Sequence, residues 1–253
     1  MANEILLEKR DGIAVLTLNR PHALNAADRA MVRALRLAIR SVEDDPQIGV
    51  VIVTGAGDKS FCVGVDLKER QDWSDDEAQA FRMGEMFPLF HELEEMLKPS
   101  IAVVKGHCLG GGFELALTCD LIIATPQAKF ASPEVKWGLT PSGGAARKLP
   151  KLIGMARGKE MVLTGQGISA AQAEQWGLIN RVVAPELALA EAENLARQIL
   201  GNVQVAVRAA KRSMDQSLDF QRTTAFDLEA SNACYAAKDR KDAIGGFGQN
   251  KPA

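Results

Sequence analysis

Four short runs along the chain are apolar at nearly every position: 13–19 (IAVLTLN), 49–54, 100–105 (SIAVVK) and 120–124 (DLIIA). Runs of this length, rich in Val and Ile, predict strands buried on both faces. Between them the spacing changes. Residues 27–41 (ADRAMVRALRLAIRS) repeat apolar positions at i, i+3 and i+4, which predicts an amphipathic helix. Residues 75–97 do the same, and Ser74-Asp-Asp-Glu77 ahead of them has the spacing of a capping box. Strands that alternate with helices predict an α/β fold with mostly parallel pairing.

After about residue 190 the strand signal stops. Residues 185–200 and 203–237 read as Ala-rich helices, and a Gly-rich tail, GGFGQNKPA, follows. Two regions are therefore expected: 1–190, and a helical C-terminal region over 191–253.

Composition narrows the classes. The chain has 253 residues, 47% hydrophobic and 25% charged, with a formal net charge of -2. No basic field points to nucleic acid or to an anionic membrane. No apolar run reaches the roughly 18 residues of a membrane span. The start, MANEILLEKRDG, lacks an apolar core segment, so no signal peptide is expected. The four cysteines (62, 108, 119, 234) show no CxxC spacing; Cys108 and Cys119 lie in apolar surroundings and fit reduced core residues of a cytoplasmic protein. The three histidines lie far apart, and no metal site is expected.

Several familiar motifs fail on inspection. GAGDKS at 55–60 has Ser60 where a dinucleotide fingerprint needs its third glycine. GLTPSGGA at 138–145 ends in Gly144-Ala145 where a phosphate loop needs Lys-Ser/Thr. No GxSxG nucleophile elbow occurs.

The stretch HCLGGGFELALTCD, residues 107–120, carries more chemistry. Three glycines stand where a strand gives way to a helix. Glycine lets backbone approach a ligand closely, and N–H groups at a helix start favour negative charge. The Gly111 N–H is a candidate donor to an oxyanion; tight strand–helix packing explains the same glycines equally well. Glu114 falls in the first helical turn, flanked by Phe113 and Leu115, and is a candidate base. Glu134 follows Ser132-Pro133, a pair that predicts a short helical turn. In FCVGVDLKER, Asp66-Leu-Lys-Glu69 has capping-box spacing, and Val65 just before it offers a second N–H. Lys68 would then sit in a first helical turn, where a cation is disfavoured by about 0.3–1 kcal/mol. A bound anion would explain it; so would a lysine reaching into solvent.

Taken together, LTLNRPHALNA (16–26), VIVTGAGDKSFCVGVDLKER (51–70), HCLGGGFELALTCDLIIA (107–124), AKFASPEVKWGLTPSGGAARKLPKLIG (128–154) and MVLTGQGISAAQAEQWGLINRVV (161–183) resemble the crotonase, or enoyl-CoA hydratase/isomerase, superfamily nearly end to end. The resemblance implies a spiral of ββα units with a C-terminal helical trimerisation region, assembled as a homotrimer or a hexamer of two trimers. It implies that the N–H groups of Val65 and Gly111 grip a CoA thioester carbonyl, and that Glu114 and Glu134 are the catalytic glutamates. It assigns Ala26, Val63, Asp66, Leu67, Lys68 and, in the tail, Phe247 to substrate or CoA contact. Coenzyme A would arrive as part of the substrate, with no separate cofactor. Hydration of a trans-2-enoyl-CoA, as in fatty-acid β-oxidation, is the expected reaction. A Δ3-Δ2 enoyl-CoA isomerase and a non-catalytic acyl-CoA-binding paralogue are the alternatives. VDLKER also resembles methylglutaconyl-CoA hydratases, so a branched acyl group stays open. The chain departs from the pattern at Val65, where a small residue is usual, and at PSGGAAR, where P-G-A-G-G-T-Q-R is commoner. In the tail, Asn250 stands where lysine is frequent, with Lys251 one place later. The stripe Phe81, Met86, Phe87, Phe90, Leu93, Leu97 fits core better than an acyl pocket, although Met83, Phe87 and Trp137 lie near the motifs.

Overall fold

The computed structural model describes residues 4–216 and Asn232. In chain order its first elements are strand β1 (Ile5–Arg10), strand β2 (Ile13–Leu18), helix α1 (Arg29–Glu43), strand β3 (Val50–Gly55) and strand β4 (Ser60–Cys62). Helices α2 (Asp75–Phe81) and α3 (Phe87–Glu94) come next, then strands β5 (Ser100–Val104) and β6 (His107–Leu109), helix α4 (Gly111–Thr118), and strands β7 (Leu121–Ala124) and β8 (Lys129–Ala131). The rest comprises α5 (Ala145–Ile153), α6 (Met155–Thr164), β9 (Gly167–Ser169), α7 (Ala170–Gln175), β10 (Arg181–Val182), α8 (Ala188–Leu200) and α9 (Gln204–Gln216).

The strands form two sheets, ordered β1-β2-β3-β5-β7-β10 and β4-β6-β8-β9. Pairing is parallel except at β1–β2 and β8–β9. Three times in succession the chain adds one strand to the large sheet and the next to the small one: β3 then β4, β5 then β6, β7 then β8. Helices follow each pair, so the chain advances as a spiral of ββα units.

The continuous apolar runs are explained by burial on both faces of the large sheet. Ala14, Leu16, Val51, Val53, Ala102 and Val104 point into the main core. Ile13, Val15, Val50, Ile52, Ile101 and Val103 alternate with them and meet Ala188, Ala192 and Ala196 of α8. Those alanines, four apart, let α8 lie close to the sheet.

The expected helix over 75–97 is divided. The capping box forms, with Ser74 Oγ accepting from the Glu77 N–H and Glu77 accepting from the Ser74 N–H. A π-helical turn at Arg82–Met86 then separates α2 from α3. Pro88 has no N–H to donate to the Gly84 carbonyl, and Arg36 of α1 donates to that oxygen instead, at 3.1 Å. The helix expected to open at Asp66 does not form; residues 67–72 are turns. Asp66 does accept from the Lys68 and Glu69 amides, at 3.1 and 3.4 Å, but Glu69 turns to the Arg29 amide at the start of α1, at 3.1 Å. A tertiary partner thus takes the carboxylate that a capping box would have used. The helix expected over 203–237 is described to Gln216, and Phe247, Asn250, Lys251 and Cys234 lie outside the described residues.

Candidate active site

The site forms where two spiral turns meet. After β4 the chain passes through Val63 and Gly64 to Val65. Ala27 pairs with this loop as an isolated parallel bridge: its N–H donates to Gly64 O at 2.7 Å, and its carbonyl accepts from Asp66 N at 3.0 Å. That alternation leaves the Val65 N–H directed away from Ala27. One spiral turn later, β6 gives way to α4 through the three glycines.

Each glycine has its own reason. Gly110, the N-cap residue, has φ 53° and ψ -131°, a conformation that excludes a side chain. A Cβ on Gly112 would lie 2.2 Å from the Cys62 carbonyl oxygen, so only glycine lets α4 pack on β4. Gly111 meets no such contact; its nearest neighbours are Gly64 and Val65, with Val65 N 3.8 Å from where a Cβ would stand. On the facing loop, a Cβ on Gly64 would lie 3.0 Å from Gly111 N. The two loops therefore approach to backbone contact. No acceptor among the described residues takes the N–H of Val65 or of Gly111.

Both glutamates are buried beside this junction. Glu114, one helical turn into α4, accepts from the Ala145 N–H at 3.2 Å through Oε1. Its Oε2 lies 2.6 Å from where a Cβ on Gly143 would stand, and the Phe90 ring lies 2.5 Å from the same point. Gly143 is what lets the start of α5 reach Glu114. Glu134 begins a 3-10 turn, Glu134–Trp137, after β8. Its Oε2 accepts from Ser132 Oγ at 2.7 Å. Its Oε1 is buried without a hydrogen-bond partner and lies 3.5 Å from where a Cβ on Gly110 would stand.

Burial pushes the Glu134 carboxyl above its ordinary value of 4.5, against the opposing hydrogen bond from Ser132. Between the unfolded and folded values the native state holds the extra proton, so stability falls as pH rises through that window. Glu134→Gln removes the cost. Thermal melts of the two proteins should converge at about pH 4 and separate toward pH 7, the variant becoming the more stable. Parallel melting curves across that range would contradict this account of Glu134.

The structure thus brings Val65 to Gly111 and the Glu134 carboxyl to Gly110, with Glu114 one helical turn beyond Gly111 and turned to Ala145. The other expected contact residues are distributed differently. Ala26 is buried, and its carbonyl accepts from Arg20 at 2.5 Å. Val63, Asp66 and Leu67 are half-buried and Lys68 is exposed. The Asp66 carboxylate is bonded to Arg20 at 3.0 Å as well as to the two amides that follow it. Sequence reasoning missed the Ala145 N–H, Ser132 Oγ and Arg20. Only Gly143-Gly144 in PSGGAAR hinted at the first. Of the apolar stripe, Phe81, Met86, Phe90 and Leu93 are buried, Phe87 is half-buried and Leu97 is exposed; outside it, Met83 is exposed and Trp137 half-buried. No group of three metal-ligating side chains occurs among the described residues. No described helix is long and apolar enough to cross a membrane.

A two-sheet spiral of ββα units is the crotonase fold, and this chain adopts it. The chain belongs to the enoyl-CoA hydratase/isomerase family, whose sequence model matches residues 8–250. It is 39% identical to a crotonyl-CoA hydratase of Syntrophomonas wolfei over 98% of this chain and 96% of that one. It is 38% identical to a short-chain-enoyl-CoA hydratase of Clostridium acetobutylicum, over 97% and 94%. A crystal structure of an enoyl-CoA hydratase/isomerase from Xanthobacter autotrophicus superposes with a TM-score of 0.89 at 32% identity, covering all of both chains.

Proposed function

We propose that this protein is a hydro-lyase that adds water across the C2=C3 bond of a short trans-2-enoyl-CoA. The observation that carries the reading is the pair of N–H groups, Val65 and Gly111, on loops in backbone contact and without an acceptor among the described residues, with buried Glu134 against Gly110 and buried Glu114 one helical turn beyond Gly111. An enoyl thioester is electrophilic at C3. Addition there sends charge through C2 onto the thioester oxygen, and the two amides receive it. Losing one such donor typically costs about 3–4 kcal/mol. Glu114, oriented by the Ala145 N–H, holds the water and takes its proton as oxygen bonds to C3. Glu134 keeps a proton more readily than an exposed glutamate and delivers it to C2. Proton exchange between the two carboxyls and solvent then restores the starting state. Coenzyme A enters as part of the substrate, and the chain supplies all the acid and base chemistry.

A small cavity walled by Met86, Leu89, Phe90 and Leu115 adjoins Gly64 and Gly111 and supports a short acyl chain. The names of the two relatives, crotonyl-CoA and short-chain-enoyl-CoA hydratase, support the same range. The family resemblance further supports a cytoplasmic homotrimer or hexamer. Purified protein given crotonyl-CoA should lower the ultraviolet absorbance of the conjugated thioester to an equilibrium level. If crotonyl-CoA survives while a 3-enoyl-CoA gains conjugation, the protein is the isomerase instead.

A further inference from the structure

Two cations, Arg147 and Lys148, stand in the first turn of α5, where the helix field disfavours them. Lys148 is nevertheless buried, and a buried ammonium needs close partners. Its Nζ donates to the Leu117 carbonyl at 2.7 Å and pairs with Glu94 at 2.5 Å. Leu117 lies in the last turn of α4, whose carbonyl end favours a cation. Glu94, at the end of α3, also holds Arg147 through both oxygens, at 2.8 and 2.9 Å.

The register of these bonds is informative. Ala145 N–H to Glu114 and Lys148 Nζ to Leu117 O each join positions 31 apart in sequence. Each step is three residues, close to one turn, along both helices. Helices α4 and α5 are therefore tied twice in the same register. The third helix supports the same arrangement: Phe90, one turn before Glu94, packs its ring against Gly143 just ahead of Ala145.

We infer that Lys148 is a positioning residue for Glu114: its bond to Leu117, held by Glu94, sets the register in which α5 presents the Ala145 N–H to the Glu114 carboxylate. The inference rests on the hydratase reading for its effect on turnover, and on the described bonds alone for its effect on geometry. A base displaced by about an ångström can lose on the order of a hundredfold in rate. Lys148→Met should therefore lower kcat on crotonyl-CoA by about ten- to a hundredfold, with KM within about threefold. Lys148→Arg, which keeps a donor and the charge in a larger head group, should lose less kcat than Lys148→Met. In a Glu114→Gln background, Lys148→Met should change kcat by less than about twofold, because the group it positions is gone. Folded Lys148→Met with the parent kcat would overturn the inference, as would penalties that multiply in the double variant. Amide hydrogen exchange gives a readout independent of turnover: Lys148→Met should speed exchange at Ala145 by about tenfold or more. If the parent protein leaves crotonyl-CoA intact, the hydratase reading fails by itself, and an unchanged exchange rate at Ala145 still sinks the register claim. Should Lys148→Met not fold, Glu94→Gln takes its place; it should lower kcat about three- to tenfold and speed the same exchange, and no change in either would overturn the inference.

Discussion

Glu114→Gln should slow hydration of crotonyl-CoA by roughly 10²–10⁴-fold, the usual worth of one general base. Glutamine has nearly the same shape and keeps an oxygen that can accept from the Ala145 N–H, so the start of α5 stays in place. What it cannot do is take a proton from water. The loss should accordingly fall on kcat, with KM for crotonyl-CoA changed little, because the amides of Val65 and Gly111 still bind the thioester oxygen. Steady-state kinetics, with a thermal melt to show that the variant is folded, settles the matter; parent-like turnover would remove Glu114 from the mechanism. The same measurement separates this glutamate from Glu134, whose Gln variant should also lose rate but gain stability at neutral pH.

Gly112→Ala should be the most damaging single methyl group in the site. Its Cβ would stand 2.2 Å from Cys62 O and 2.6 Å from Cys62 C, atoms of β4 that cannot swing aside as a flexible side chain could. Relief requires α4 to back away from β4. Overpacking of this kind costs about 1–3 kcal/mol, and the move would carry the Gly111 amide away from Val65. Loss of one oxyanion donor is worth about 10²–10³ in kcat. Both penalties should appear together, in denaturant unfolding and in turnover. Gly111→Ala is the control, since its Cβ would meet only ordinary contacts at 3.7–3.9 Å, so its unfolding midpoint should stay close to the parent's. If Gly112→Ala unfolds at the parent's denaturant concentration, the proposed need for close helix–strand approach is wrong.

Much of this was legible along the chain. The apolar runs at 13–19, 49–54, 100–105 and 120–124 became β2, β3, β5 and β7 because a sheet covered on both faces favours apolar residues at nearly every position. Short strands with few such positions were invisible: β4, β6, β8 and β9 have only three residues each. The division of 75–97 turned on Pro88 and on Arg36, a residue about fifty positions away that takes the freed carbonyl. The capping box at Ser74 formed and the one at Asp66 did not, although the spacing is the same. The difference is that the Arg29 amide competes for Glu69.

Local chemistry therefore decided which segments extend or coil, and where backbone can be bare: Gly110 needs its positive φ, and the glycine run marks the strand-to-helix junction without any knowledge of the fold. Burial, partner and register are properties of segments distant in the chain. That Gly64 meets Gly111, that Ala145 reaches Glu114, and that Glu134 keeps one oxygen unpaired against Gly110 all depend on spiral turns stacking. Side-chain periodicity reports which face is covered but not by what, so those three relations could be supplied only by the tertiary structure.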